Sequence, residues 1–266
     1  MKTQSSALLS SFTFFIAITI AGHVHADIVA KAYDIKNVNE VVVSGGGRLQ
    51  LTQGDTESLR VEADQKIIDR VVVDLSGDKL TLSIKNGTGK DFNFFHWFEN
   101  NKEDITYTLQ LKNLTYLGLS GATRATLGSL TGKKLEVRGS GAADITFNNL
   151  TLEDIFIELT GASNSRFQNL TANKVKVELS GAANLDVKAE SNAKFLKVGA
   201  SGASNFRGKL FTVAQADVDA SGASNIDLNA TDILKADASG ASNIRYLGQP
   251  KLQSNASGAS HINSTN

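Results

Sequence analysis

Apolar and polar residues alternate along most of the chain with a period of two. Val175 and Val177, for example, alternate with Lys176 and Glu178. This alternation is typical of β-strands that bury one face. The alternating segments come in pairs, and each pair flanks a short run of small residues. The pattern therefore predicts a strand, a small-residue corner and a second strand, repeated along the chain.

The corners define an internal repeat. Ser/Thr-Gly-Ala occurs eight times, at intervals of 20, 20, 20, 21, 20, 18 and 18 residues. A coil of this length is too short for a βαβ unit, which needs ~30 residues. We therefore predict an all-β fold, a parallel β-helix (β-solenoid) with coils of about 20 residues over 116–266, whose equivalent strands stack ~4.8 Å apart. The triplets begin at Ser120, Ser140, Thr160, Ser180, Ser201, Ser221, Ser239 and Ser257.

Two residue types at the corners suggest how the coils stack. The glycine permits backbone conformations closed to other residues, and the alanine after it is present in all eight coils, so we expect that alanine where inward room is smallest. An asparagine column follows three residues after the glycine. Stacked amides can bond one another along the rod, and the alternative is that this asparagine and serine column forms a polar stripe that binds a ligand. The column comprises Asn164, Asn184, Asn205, Asn225 and Asn243.

Charges alternate in sign five residues after each corner glycine. Neighbours in a parallel stack occupy equivalent positions, so opposite charges should meet and help to fix the register. A catalytic carboxylate pair formed by Asp186 and Asp227 is the alternative, but each is flanked by arginines and the two lie ~10 Å apart, two coils away from each other. The column comprises Arg166, Asp186, Arg207, Asp227 and Arg245.

Residues 27–115 carry weaker versions of the same design. The run Val41 to Leu51 has the order of strand, glycine corner and strand, and Val71 to Ile84 resembles it around Gly77. We predict degenerate coils or strand pairs that cap the N-terminal end of the rod, because an open solenoid end exposes unpaired strand edges. The C-terminal end shows no obvious cap, so pairing of two rods through their ends is a second hypothesis.

An aromatic insertion at 87–104 breaks the pattern. One interpretation is a plug that covers the end or side of the solenoid with its rings. The other is an exposed platform for a sugar, a peptide or a membrane interface, since Trp and Phe supply large rigid contact areas. The candidate binding surface comprises Phe92, Phe94, Phe95, Trp97 and Phe98.

The first 26 residues have the features of a signal peptide. Lys2 precedes an apolar stretch from Leu8 to Ala21, and Val24-His25-Ala26 fits a cleavage signal, so we predict cleavage after Ala26 and a periplasmic or secreted protein without a stable membrane anchor. The apolar stretch is shorter than the ~20 residues that a spanning helix needs.

Composition narrows the function classes. The chain has no cysteine, which excludes disulfides and thiolate metal sites. Its 27 basic and 27 acidic residues give no bias toward nucleic acid. After cleavage only His96 and His261 remain as histidines, so we expect no cofactor and no histidine-based metal cluster.

One acidic column remains as candidate chemistry. Glu158, Glu178, Asp219 and Asp237 lie three residues before their corner glycines, interrupted by Gly199. A divalent-cation site there is one hypothesis, and a polysaccharide-active lyase or hydrolase is another, because such sites need clustered carboxylates with a basic partner. No catalytic constellation emerges from the spacing, so we predict a protein that is not an enzyme.

The recurring Ser-Gly-Ala-Ser-Asn corners and the stretch from Tyr246 to Ser260 (YLGQPKLQSNASGAS) resemble the bacterial head GIN domain family, labelled "putative auto-transporter adhesin" and of unknown function. The similarity covers about 33–260 as one domain. It implies an exported, right-handed β-helix-like protein of Gram-negative bacteria and brings no catalytic or binding residues with it. The expected function is that of an adhesin or scaffold that contacts a surface polysaccharide or an envelope protein.

Overall fold

The structure, a computed structural model, describes residues 28–85 and 105–265. All nineteen strands of this described part join one continuous sheet, and a single 3-10 turn lies at Ile68–Arg70. The strands are β1 (Ile28–Tyr33), β2 (Glu40–Val43), β3 (Gly46–Gln53), β4 (Ser58–Asp64), β5 (Val71–Ser76), β6 (Lys79–Ile84), β7 (Ile105–Leu111), β8 (Tyr116–Leu119), β9 (Ala122–Leu127), β10 (Leu130–Gly139), β11 (Asp144–Leu159), β12 (Asn164–Leu179), β13 (Asn184–Val187), β14 (Ser191–Ala200), β15 (Asn205–Ala220), β16 (Asn225–Ala238), β17 (Asn243–Leu247), β18 (Lys251–Ala256) and β19 (His261–Ser264).

From β8 onward the chain winds as a parallel β-solenoid, which confirms the predicted fold class. Equivalent residues of successive coils face one another, as in Leu150 opposite Leu170 and Ile155 opposite Val175. The solenoid makes about seven turns with roughly 20-residue spacing. The buried faces of the strands line one continuous apolar interior, as the period-two alternation predicts.

The corner glycines adopt a backbone conformation that other residues avoid. Gly161 and Gly202 both have φ of +72°, in the left-handed region. A Cβ atom on Gly202 would lie 2.6 Å from the carbonyl oxygen of Gly181 in the preceding coil. The N–H of Ala203 donates a hydrogen bond to this same oxygen at 2.7 Å. Successive corners are thus in backbone contact, and only glycine fits.

The alanine after each corner glycine does not face inward, so this expectation was wrong. Ala142, Ala162 and Ala203 are exposed, and the inward residue is the next one along, such as Ser204. The left-handed glycine turns the chain, so the alternation of inward and outward positions restarts after the corner. The buried Ser204 hydroxyl donates to the Ser201 carbonyl at 2.8 Å, and Ser163, Ser224, Ser242 and Ser260 repeat this bond to their own corners.

The interior becomes smaller toward the C-terminal end. In the central coils it holds aromatic rings, and Phe147 stacks on Phe167 with ring centroids 4.7 Å apart. The side chain at the inward position four residues before the corner glycine becomes smaller in the last coils, and in the final coil it is polar. In chain order this position holds Val137, Ile157, Val177, Val198, Val218, Ala236 and Ser254.

The N-terminal region contains both of the predicted alternatives, degenerate coils and strand pairs. Strands β2 and β3 form a coil that stacks in parallel on β8 and β9. The next layer outward consists of β6 and β7, although these strands come later in the sequence. Beyond them, β5 pairs with β6, β4 with β7 and β1 with β4, all antiparallel. This antiparallel set covers the N-terminal end of the rod.

The C-terminal layer has no such cover in the described residues. Strand β18 pairs only with β16, and β19 only with β17. Every residue of β18 is exposed, including the inward-facing Leu252 at 40%.

Replacing Gly202 by alanine should lower the free energy of unfolding by about 2 kcal/mol or more, because it combines a left-handed φ with a backbone clash. Gly199→Ala is the matched control, since a Cβ there meets nothing within 4 Å and its φ is ordinary. Urea unfolding of both variants measures the difference. Equal stability of the two variants would contradict the close contact between corners.

Candidate functional site

The aromatic candidates lie outside the described residues. Phe92, Phe94, Phe95, Trp97 and Phe98 fall between Lys85, after the end of β6, and Ile105, the first residue of β7. Their role as a plug or as a binding platform therefore stays a prediction.

A groove runs along the strands preceding the corners. Three adjoining depressions of about 290, 390 and 300 Å³ compose it. The first and second share Glu158 and Thr160, and the second and third share Asp219 and Ser221. The groove therefore continues from Tyr116 in β8 to the corner that follows β18.

Hydroxyl groups line one side of this groove in every coil. They belong to the first residue of each Ser/Thr-Gly-Ala triplet, and all eight are exposed or half-buried. Because the coils stack in register, these hydroxyls repeat every ~4.8 Å along the rod. Each hydroxyl can both donate and accept a hydrogen bond. The serines belong to the polar stripe that is the alternative interpretation of the corners, and the groove is where their hydroxyls lie.

Gly199 opens a niche near the middle of the groove. It occupies the column that otherwise holds Glu158, Glu178, Asp219 and Asp237, and nothing lies within 4 Å of the place where its Cβ would be. The niche is bordered by Lys197 and by the hydroxyl-bearing residues Ser180, Ser201 and Ser221.

Most charges in the groove are neutralised by neighbours. Arg138 pairs with Glu136 at 2.7 Å and also with Glu158 in the next coil. Lys176 pairs with Glu178 at 2.6 Å, and Lys197 with Asp217 at 3.2 Å.

Asp219 and Asp237 differ from the other groove acids. They are opposite each other in adjacent coils, and in the described part of the chain neither has an ion-pair partner within 4 Å. Burial raises the pKa of the Asp219 carboxyl, the nearby Asp217 and Asp237 carboxylates raise it further, and Lys197 acts in the opposite direction. The C-terminal half of the groove thus carries two neighbouring carboxyl groups without a direct ion-pair partner among the described residues.

The other half of the groove carries an aromatic ring, that of Tyr116, and the Phe156 ring contacts two of the basic side chains that line it. The half-buried ring of Phe156 lies below two cations, with Lys176 Nζ 4.8 Å and Arg138 Cζ 5.7 Å from its centroid. Tyr116 lines the same depression as Arg138. The two halves therefore differ in chemistry, one aromatic with paired charges and the other acidic.

The acids do not assemble into a metal site. Among residues 28–85 and 105–265, no group of three His, Asp or Glu side chains is placed to hold a metal ion. The acidic column instead spreads its members over four coils, with Gly199 between the two pairs.

The asparagine and charge columns, which lie on the strands after the corners, hold adjacent coils together. The asparagine side chains form a continuous ladder, in which Asn205 donates to Asn184 at 2.8 Å and accepts from Asn225 at 3.0 Å. The ladder also includes Asn164 and Asn243, at 3.1 Å each from their neighbours. These amides are engaged with one another, which supports the structural interpretation rather than a ligand stripe.

The alternating charges also pair, as predicted. Arg207 contacts Asp186 at 3.1 Å, and Arg245 holds both oxygens of Asp227 at 2.7 and 2.9 Å. Arg166 departs from the simple pattern, because it reaches Asp144 at 2.6 Å in the preceding coil. Since Asp186 and Asp227 are each bound to arginine, neither is placed as a free catalytic carboxylate.

Fold and groove define a class of protein, a capped parallel β-solenoid with a long polar surface groove. The family described as "Putative auto-transporter adhesin, head GIN domain" matches residues 37–250, and the chain belongs to this family. This result confirms the resemblance seen in the corner motifs. Membership in this family supports an adhesin-like role.

Solved structures share the fold. A putative adhesin from Parabacteroides merdae is 17% identical with a TM-score of 0.78, covering 90% of this chain and 96% of that one. A putative adhesin from Parabacteroides distasonis is 20% identical, with a TM-score of 0.78 and coverage of 90% and 97%. A putative lipid binding protein from P. distasonis is 19% identical, with the same TM-score and the same coverages. A search of the curated proteins finds no significant match.

Replacing Asp219 by asparagine should raise the melting temperature at neutral pH. A carboxyl whose pKa is raised by folding destabilises the folded state when it ionises. The stability of the protein therefore falls as the pH rises from 3.8, the usual pKa of this carboxyl, through the raised pKa. The asparagine variant should lose this part of the pH dependence. Asp186→Asn, which breaks the contacts to Arg207 and Lys188, should instead lower the melting temperature. A lower melting temperature for Asp219→Asn would refute the assignment.

Proposed function

We propose that this chain is an exported, non-enzymatic protein of the bacterial envelope that binds a surface polymer along its groove, as an adhesin or scaffold does. The observation that carries the proposal is the groove itself, with one hydroxyl per coil along the full series of corners. Family membership supports the adhesin-like part. Export rests on the features of residues 1–26, which lie outside the described residues.

An extended polymer suits this groove better than a small molecule. The groove is shallow and long, whereas small-molecule sites bury most of their ligand in a concave pocket. Its repeated hydroxyls offer the same hydrogen-bonding pattern to each successive unit of a chain. A surface polysaccharide presents hydroxyls at regular intervals, and the Tyr116 ring in the groove adds an apolar contact. An extended segment of an envelope protein is the other partner that fits.

The charges of the groove support a binding role. Its basic side chains are largely held in ion pairs, and its two unpaired carboxylates, Asp219 and Asp237, lie next to each other in one column. In the described residues no helix is long and apolar enough to cross a membrane.

A polysaccharide-cleaving enzyme is the second candidate. The observation in its favour is the adjacent pair Asp219 and Asp237, in which the pKa of Asp219 is raised. Release of reducing ends from an envelope polysaccharide, lost in Asp219→Asn, would identify this activity.

Filling the niche should weaken polymer binding while the fold stays intact. Gly199→Leu places a side chain in open space within the groove, and we expect at least tenfold weaker binding to envelope polysaccharides, about 1.4 kcal/mol. Gln168→Leu, at an exposed position after a different corner, is the matched control.

Binding would be measured by calorimetry on polysaccharides selected in a screen of glycans and envelope extracts. Failure of the wild-type protein to bind any surface polymer, or unchanged binding by Gly199→Leu, would refute the proposed groove function.

The aromatic segment is proposed as a second contact with the same polymer. Trp97→Ala should then weaken binding without lowering the melting temperature, because an exposed platform contributes contact area and little stability. The plug interpretation makes the opposite prediction, a lower melting temperature with binding unchanged. Calorimetry and thermal unfolding on one sample distinguish the two.

A further inference from the structure

The two ends of the solenoid differ in whether further strands cover their edges. The N-terminal end carries the antiparallel strands β1, β4 and β5, whereas β18 and β19 form an outer edge that no described strand covers. Natural edge strands are usually protected by prolines, bulges or several charges. Strand β18 (KLQSNA) has no proline within it and one charge, Lys251, at its first residue.

The hydrogen bonds show which backbone groups of β18 point away from the rod. Ser257, directly after β18, donates its N–H to the carbonyl of Ala238 at 2.9 Å. In a parallel pair, every second residue bonds to the same neighbour. The backbone groups of Leu252, Ser254 and Ala256 therefore point toward the open end. The same three residues occupy the inward-facing positions of this last coil.

This arrangement is self-complementary. If a second β18 is placed antiparallel with Ser254 opposite Ser254, then Leu252 lies opposite Ala256, and all three residues in each strand form hydrogen-bonded pairs. Inward side chains remain inward, so the interiors of two rods become continuous. On the outer face Gln253 lies opposite Asn255, and Lys251 lies opposite Ser257 rather than another lysine. No like charges meet.

We infer that β18 is the interface through which two copies of this chain pair end to end about a two-fold axis. A closed two-fold dimer uses the same surface of both copies. Head-to-tail stacking would instead require the C-terminal edge to pair with the antiparallel strands that cover the other end.

The contact is small. It comprises one six-residue strand from each copy and the apolar surface of Leu252, well below the ~800 Å² per partner of a standard stable interface. The dimer is therefore weak and forms as the protein concentration rises.

The test uses proline at positions where the rod itself needs no N–H. Ser254→Pro and Ala256→Pro each remove an N–H that points toward the open end, and both keep the ladder to β16, as edge strands allow. Ser254→Ala, which keeps the N–H, is the control. Sedimentation equilibrium between about 10 μM and about 1 mM should show dimerisation of the wild type and Ser254→Ala, with association weakened at least tenfold in both proline variants.

Unchanged melting temperatures of the monomeric variants establish that the last coil is still folded. A wild type that stays monomeric to about 1 mM, dimers that persist unchanged in both proline variants, or growth of open-ended oligomers would each overturn the inference. Because polymer binding is measured separately through Gly199→Leu, failure of this test leaves the groove function untouched.

Discussion

The contact between successive corner glycines is the constraint on which the rest of this structure depends. Each corner places its glycine against the backbone of the glycine before it, so the coils cannot slip or rotate relative to one another without a clash. A parallel sheet alone tolerates a shift by two residues, because inward and outward faces are preserved. The corner removes that freedom. Every other column of the molecule is in register because this one is.

Because the coils are in register, residues that repeat in the sequence form continuous columns of side chains along the rod. The asparagine amides bond one another over five coils, and the arginine and aspartate side chains pair between coils instead of facing their own kind. The same geometry brings the triplet hydroxyls into one line beside the groove. Stability and the proposed binding surface therefore come from the same repeat, on different sides of the rod.

The sequence predicts the features that depend on periodicity alone. Strands, coil length, the asparagine column and the opposed charges all follow from equal spacing. Features that depend on conformation at one residue or on chain order were missed. Ala203 and Ser204 are both small, and only the left-handed φ of Gly202 decides which of them faces inward. The sequence shows Gly199 as an interruption of the acidic column, but the niche beside the triplet hydroxyls becomes visible only when adjacent coils are stacked.

The order of layers at the N-terminal end has a consequence for how the chain reaches this fold. Most coils need only a neighbour about 20 residues away, and such short loops close quickly. Strand β3 instead lies between β7 and β9, and Gly46 pairs with Ala122 across 76 residues of sequence. The part synthesised first must therefore wait for distant partners, while the later coils can assemble locally. We expect the N-terminal layers to form the slow, rate-limiting step of folding.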